Sequence, residues 1–241
     1  MYFSTAALAF SGIALAEPTG GAVTGGAGTI SQSGTATNIN QSSHQLNIDW
    51  QTFNVNANES VNFYQPSASA IAINRVINGP SEIRGAINAN GRLVFLNQSG
   101  ITFFEGAKVN VGSLMASTAA SATMSGGVLS FSGGGYAQII NHGDIAVSDG
   151  GFAILAAPHV ENTGTITANL GQVTLASASS YTLDLRGDGL ITFSVDADAI
   201  SNIAADGEKL GIDNSGTLQA QSGQVVVTAA TISQVVNSVV N

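Results

Sequence analysis

Asp196 and Asp198 flank Ala197, and on a β-strand that spacing sets both carboxylates on one face, roughly 7 Å apart. Carboxyl pairs at about that distance carry out general acid and general base steps at glycosidic bonds. Arg186, His142 and His159 are the side chains available to assist them. Against catalysis, Asp-x-Asp is an ordinary pattern on a solvated strand, and the chain has no cluster of cations to grip an acidic sugar. Gly187-Asp188-Gly189 is one fragment of a calcium-binding pattern, whereas calcium coils need that unit repeated. With no cysteine, thiolate metal sites and thiol nucleophiles are excluded. No phosphate loop, nucleophilic triad or metal-ligand cluster is legible, so no cofactor is expected. Asn40-Gln41-Ser42, Asn58-Glu59-Ser60 and Asn97-Gln98-Ser99 fit glycosylation sequons, as chance allows in so Asn- and Ser-rich a chain.

The elements that would position these groups are strands. Short runs of β-branched and aromatic residues alternate with Asn, Gly and Ser turns. Only 9% of the 241 residues are charged and the hydrophobic fraction is 44%, the reverse of a disordered chain. That length accommodates one large all-β domain with a sizeable core. The net charge of −9 with six Lys and Arg residues excludes nucleic acid as a partner, because phosphate binding needs clustered cations. Anionic membrane surfaces are disfavoured for the same reason. Arg75, Arg84, Arg92 and Lys108 lie in the middle third, and ten of the fifteen acids fall between Asp144 and Asp213. This asymmetry describes either two differently solvated faces or a basic docking face.

The second half repeats itself. Asn141-His142-Gly143-Asp144-Ile145 recurs as Asn162-Thr163-Gly164-Thr165-Ile166 and as Asn214-Ser215-Gly216-Thr217-Leu218. Each copy precedes a glycine and an apolar run, opening at Gly151, Gly171 and Gly223. The first two Asn positions are 21 residues apart and the third follows after 52. A period near twenty with two or three short strands per unit is what a parallel β-helix requires. Its coils bend at Gly and Asn corners and stack like residue on like. The long third interval implies a hairpin protruding between Tyr181 and Asp198. About ten coils would make a rod roughly 50 Å long.

The ends carry separate expectations. Residues 1–16 are apolar and close on Ala14-Leu15-Ala16 before Glu17, the small-residue pattern of a signal peptide cleaved after Ala16. No Lys or Arg precedes the apolar core, so the chain is expected to begin inside a longer leader. Thr19 to Gly28 reads as a mobile, Gly-rich lead-in to the domain, which is assigned residues 17–241. Trp50, the only Trp, is the candidate to pack beneath an N-terminal cap. The strand-like end at Val235 to Asn241 suggests a shortened chain or the head of a longer fibre.

An ordered block carries a family resemblance. Phe53-Asn54-Val55-Asn56-Ala57-Asn58-Glu59-Ser60-Val61-Asn62-Phe63-Tyr64-Gln65-Pro66-Ser67 is followed by Ile73-Asn74-Arg75-Val76 and by Ser81-Glu82-Ile83-Arg84-Gly85. Then come Gly91 to Leu96, Asn97-Gln98-Ser99-Gly100-Ile101, and Val109 to Thr118. This block resembles the N-terminal secretion domain of two-partner-secretion exoproteins, the filamentous-haemagglutinin and haemolysin type. The family's Asn-Pro-Asn-Gly-Ile hallmark is altered here, keeping Asn97, Gly100 and Ile101 while losing the proline and second asparagine. The resemblance implies a right-handed parallel β-helix of the single-stranded, pectin-lyase-like kind, with an N-terminal cap and extra-helical β-hairpins. It implies export by the general secretory machinery, then recognition by the periplasmic POTRA modules of a dedicated outer-membrane transporter. The product would be secreted or held at the surface of a Gram-negative bacterium. On this reading Asn74, Arg75, Val76 and Asn97 to Ile101 serve transporter recognition or fold nucleation. Two alternatives stay open: an adhesin module binding host-cell surface receptors, and a β-helix enzyme degrading polysaccharide through Asp196 and Asp198.

Overall fold

A strand buried on both faces is apolar at nearly every position, whereas one with a single buried face alternates. Both patterns occur here, and they sort the strands into different sheets. In this computed structural model, residues 18–134, 136–178, 180–185, 192–195, 211–229 and 237–238 are described. The first sheet stacks Gln45–Trp50, Ile71–Val76, Arg92–Leu96, Ser113–Ser117, Phe152–Ala157, Gln172–Ser177 and Gln224–Ala229, all parallel. The second stacks Ala36–Gln41, Ser60–Tyr64, Ala86–Ala89, Lys108–Val111, Asp144–Val147, Thr165–Thr167 and Thr217–Gln219. The third runs from Ser81–Ile83 through Ile101–Phe103, Gln138–Asn141, His159–Asn162 and Gly211–Asn214 to Asn237–Ser238.

The chain visits the second, first and third sheets in turn, and each circuit is one coil of a parallel β-helix. Seven strands lie parallel in each of the first two sheets, so seven coils stack among the described residues. At about 4.8 Å per coil the stack is about 30 Å tall. The described residues hold fewer coils than the expected ten, because the chain spends residues on a cap and on hairpins.

Alternate residues of the first sheet point inward and outward. Leu93, Phe95, Leu114, Ala153 and Leu155 fill the interior of the coils. Val94, Leu96, Met115, Ile154 and Ala156 point out, yet are equally buried within a second apolar cluster. Fully burying each Val, Leu, Ile, Phe or Met side chain among them contributes about 1.5–3 kcal/mol. Strands of the second sheet, such as Lys108–Val111, alternate exposed and buried residues and have one wet face.

What covers the outer face is a four-stranded antiparallel sheet ordered Ser121–Ser125, Val128–Ser132, Tyr181–Asp184, Thr192–Val195. Both of its hairpins leave the helix at the same corner, after strands of the first sheet. The earlier one turns at Gly126 and Gly127, with φ of +55° and +81°. Two positive values in a two-residue loop make the turn that matches strand twist. The later one lies where the 52-residue interval predicts a protrusion. Asp196, Asp198, Arg186 and the Gly187–Gly189 fragment lie outside the described residues.

Tyr181 fastens this sheet to the coils. Its ring packs on Phe131 at 5.0 Å between centroids, and its hydroxyl hydrogen-bonds Ser117 and donates to the Ala156 carbonyl. Burial pushes the phenol above its ordinary value of 10.0. A phenol that stays neutral in the fold contributes stability that is full below about pH 10 and lost above it, where the unfolded chain ionises first. Tyr181→Phe is expected to cost about 1 kcal/mol near neutrality and to remove that alkaline loss. Urea melts of both proteins at about pH 8 and about pH 11 check the difference.

The N-terminal segment is ordered, not a loose lead-in. Ala22–Gly25 pairs antiparallel with the first sheet's initial strand, Gly28–Ser33 with the second's, and Thr19 bridges Thr52. This cap closes edges that would otherwise template other chains. Trp50 sits beneath it, 1% exposed, with its ring edge-on to Phe53. A Cβ on Gly21 would overlap the Trp50 ring and lie 2.9 Å from Ile30, so only glycine lets the cap settle. The repeated cassette forms a ladder: Asn141 Nδ2 donates to Asn162 Oδ1 at 2.7 Å, and Asn162 Nδ2 to Asn214 Oδ1 at 2.7 Å.

Candidate functional site

Asn97 directly follows the first-sheet strand Arg92–Leu96, and the four residues Asn97–Gly100 turn the chain toward the third. The Gly100 N–H donates to the Asn97 carbonyl at 3.0 Å, and Gly100 holds φ +102°, a conformation that favours glycine. The Asn97 side chain is 1% exposed. Its Oδ1 accepts from the Ser99 N–H at 2.9 Å, while Nδ2 donates to the Gly79 carbonyl at 3.0 Å and Ser81 Oγ at 2.9 Å. Asn97 therefore ties its own turn shut and joins it to the coil before. Ile101 is buried in register with Ser81 and Ile139. Gln98 and Ser99 are the exposed residues of the turn.

Asn74-Arg75-Val76 divides the same way. Asn74 is fully buried, accepting from the Trp50 indole at 3.0 Å and donating to the Ala72 and Val94 carbonyls. It satisfies the one polar atom of the ring under the cap. Val76 is buried. Arg75 is exposed and grips Asp49 of the preceding coil through two hydrogen bonds, at 2.9 and 2.5 Å. That pairing raises the guanidinium further above its usual range, so it stays cationic.

Other residues of the block are corner staples. The Glu59 carboxylate accepts from the Asn56 N–H at 2.8 Å. The Gln65 amide bonds Gln41 Oε1 in one neighbouring coil and the Arg92 carbonyl in the other.

The exposed members of the two segments converge. Arg75, Ile77, Gln98 and Ser99 border one surface hollow of about 240 Å³ with Val76, Leu96, Ala119 and Ala120. Ile77 is half exposed there. A larger groove of about 450 Å³ continues from it, sharing Arg75, Leu96 and Ala120. It runs between Asn47, Asp49 and Ile73 of the first sheet and Ser121 to Met124 of the hairpin. The sequence reading missed Ile77, Asp49 and Ala120 to Met124. An apolar residue directly behind a motif strand, and a Gly-Gly turn between two alternating runs, are the signals that point to them.

The remaining candidates stay apart. Lys108 pairs with Asp144, and Arg84 pairs with Glu82 at 3.0 Å while lying 3.5 Å over the Phe104 ring. Arg75, Arg84 and Lys108 thus stand on different sides of the coil, each beside an acid. Half-buried Arg92 lies at the opposite end of the first-sheet strands from Arg75, so among the described residues the basic docking face is not formed. His142 bonds Thr163 Oγ1, whereas His159 is buried 3.9 Å from Asp213 at the far end of the same third-sheet strand pair. They do not make one site. Among the described residues no group of three or more metal-ligating side chains occurs. Ala14, Ala16 and Glu17, the expected cleavage residues, lie outside the described residues. No helix of the described residues is long and apolar enough to cross a membrane.

Comparison with known proteins fits this geometry. The family model described as "TPS secretion domain" matches residues 14–241. A heme/hemopexin-binding protein of Haemophilus influenzae is 30% identical over 230 residues, covering 88% of this chain and 23% of that protein. A second H. influenzae protein of the same name is 41% identical over 81 residues, 33% of this chain and 9% of the other. The crystal structure of the HMW1 secretion domain from H. influenzae superposes with a TM-score of 0.72 at 27% identity, over 88% of this chain and 57% of that one. The chain spans about a quarter of the length of the longer-matching curated relative.

Proposed function

The chain belongs to the TPS secretion domain family, and from that premise we propose that its transporter reads an epitope assembled from stacked coils. The family's exoproteins leave by the two-partner pathway, through an outer-membrane transporter, to the cell surface or beyond. It is a family of secretion domains, not of enzymes. In the finer reading, residues 1–16 direct passage by the general secretory machinery and are removed after Ala16. The transporter's periplasmic POTRA modules then engage the domain.

One observation carries this reading: Arg75 and the pair Gln98 and Ser99 come from successive coils yet border the same hollow. Segments that far apart in sequence share a surface only when those coils are stacked. The recognised form is therefore at least partly wound. Val76 lines the hollow, Asn74, Asn97, Gly100 and Ile101 hold the strand and turn beside it, and Arg75, Gln98 and Ser99 present its contacts. Outside the cell, each completed coil offers its strands to the next, as nearest-neighbour stacking allows. Folding stability of order 5–15 kcal/mol then biases export without nucleotide.

The test is binding of purified POTRA modules to the chain in buffer and in urea. The folded chain should bind, and Arg75→Ala with Gln98→Ala and Ser99→Ala should weaken binding at least tenfold. Equal binding by the denatured chain, or undiminished binding by the triple variant, would discard the reading.

A further inference from the structure

Asparagine is a thermolabile residue, and a following glycine leaves its side-chain amide open to attack by the backbone, because no Cβ shields the glycine nitrogen. The chain has two such pairs, Asn78-Gly79 and Asn90-Gly91, and both asparagines are exposed. The fold treats them differently. Asn90 is held at both ends of its amide: Oδ1 accepts from the Gln65 N–H at 2.7 Å, and Nδ2 donates to the Gln65 carbonyl at 2.8 Å. Gly91 behind it is buried, its Cβ position 2.7 Å from Gln65 Oε1 and 2.8 Å from the Ala70 carbonyl oxygen. Asn78 has one side-chain tether among the described residues, from Nδ2 to Gln51 Oε1 at 2.8 Å. Gly79 is exposed at φ +67°, with nothing within 4 Å of its Cβ position. Its N–H makes no hydrogen bond among the described residues.

We infer that Asn78 is a site of spontaneous covalent modification, converting to aspartate and isoaspartate in the folded chain while Asn90 is spared. The Gly79 nitrogen, on giving up its proton, attacks Asn78 Cγ. The Cγ–Nδ2 bond breaks, and ammonia leaves with that proton as a succinimide ring closes. Water, the one co-reactant, then opens the ring. Opening at Cγ gives aspartate with the original backbone; opening at the main-chain carbonyl leaves Gly79 bonded to Cγ and adds one carbon to the backbone. The position gives the second product a consequence. The Gly79 carbonyl accepts from Asn97 Nδ2 at 3.0 Å, one of the two bonds that join the Asn97 turn to the coil before. A backbone longer by one carbon displaces that carbonyl, and the bond is lost. Plain aspartate leaves it in place, since exposed Gln51 can turn its amide to donate to the new carboxylate. Isoaspartate at this turn therefore loosens the tie between coils, and the added charge alone does not.

Incubating the purified full chain at mildly alkaline pH, in buffer and in urea, tests this, with peptide mass spectrometry of both pairs. In buffer Asn78 should convert at least tenfold faster than Asn90 and give both products. In urea, where Gln65 no longer holds Asn90, the two rates should become alike. The aged chain should unfold at a lower urea concentration than the fresh one, while Asn78→Ser, incubated in the same way, should keep its midpoint. Asn78→Asp, which supplies the charge without the extra carbon, should match the fresh chain. Conversion of Asn90 as fast as Asn78 in buffer, or of neither while urea converts both, overturns the site. An aged chain that carries isoaspartate at this position and keeps the fresh midpoint overturns the loosened tie.

Discussion

Gly171→Ala is expected to destabilise the domain by about 3 kcal/mol or more, the upper range for forcing an atom into a packed interior. Gly112, Gly151, Gly171 and Gly223 stack at one corner of successive coils, and a Cβ on Gly171 would overlap the Gly151 carbonyl oxygen. The obstacle is backbone, so no rotamer relieves it, and the coils must separate or shift register. Gly150→Ala is the control. Gly150 holds φ +77° with nothing within 4 Å of an added Cβ, so that change costs only the left-handed conformation, about 1–2 kcal/mol. Urea titration of both variants measures the contrast. A loss under about 1 kcal/mol for Gly171→Ala would mean that the coils are less tightly stacked than the carbonyl contact requires.

Asn97→Ala comes next, with an expected loss of about 2–4 kcal/mol, because three hydrogen bonds vanish and Ser81 is left buried without its partner. Gln98→Ala with Ser99→Ala should change stability by no more than about 0.5 kcal/mol, as exposed substitutions do. The secreted amount should fall in both cases, for different reasons. On the proposed reading Asn97→Ala would fail because the turn does not hold, and the double variant because the transporter's modules would no longer grip it. A melt and a binding assay on each protein separate the two. Wild-type stability in Asn97→Ala would remove its assigned role as the tie between coils.

Much of this architecture was legible because a solenoid writes itself into sequence locally. The Asn-x-Gly cassettes mark their corner ladder directly, since Asn141, Asn162 and Asn214 each occupy the same place in their coil. Other features were hidden for physical reasons. Gly20, Gly21 and Gly25 read as a linker, yet small residues there let the cap press on Gln51, Trp50 and Asn47. The meeting of Arg75 with Gln98 depends on which coil positions align, and a shift of one residue would turn those side chains to the opposite face. The double burial of the first sheet did show, as runs such as Phe152–Ala157, but the runs do not say what covers them.

The two hairpins that share one sheet are separated along the chain by two coils. Val128–Ser132 pairs with Tyr181–Asp184, and Phe131 waits fifty residues for Tyr181. A chain folding from its N-terminus would therefore wind its early coils with only the first hairpin, half of the covering sheet, in place. During that interval Val94, Leu96 and Met115 would have Leu129 and Phe131 of the first hairpin to pack on but would lack Tyr181 and Leu183. Arrival of the second hairpin works as a clasp that shuts only on correctly counted coils. A deletion of one coil between Phe131 and Tyr181 would leave every surviving strand well formed and still misalign the clasp.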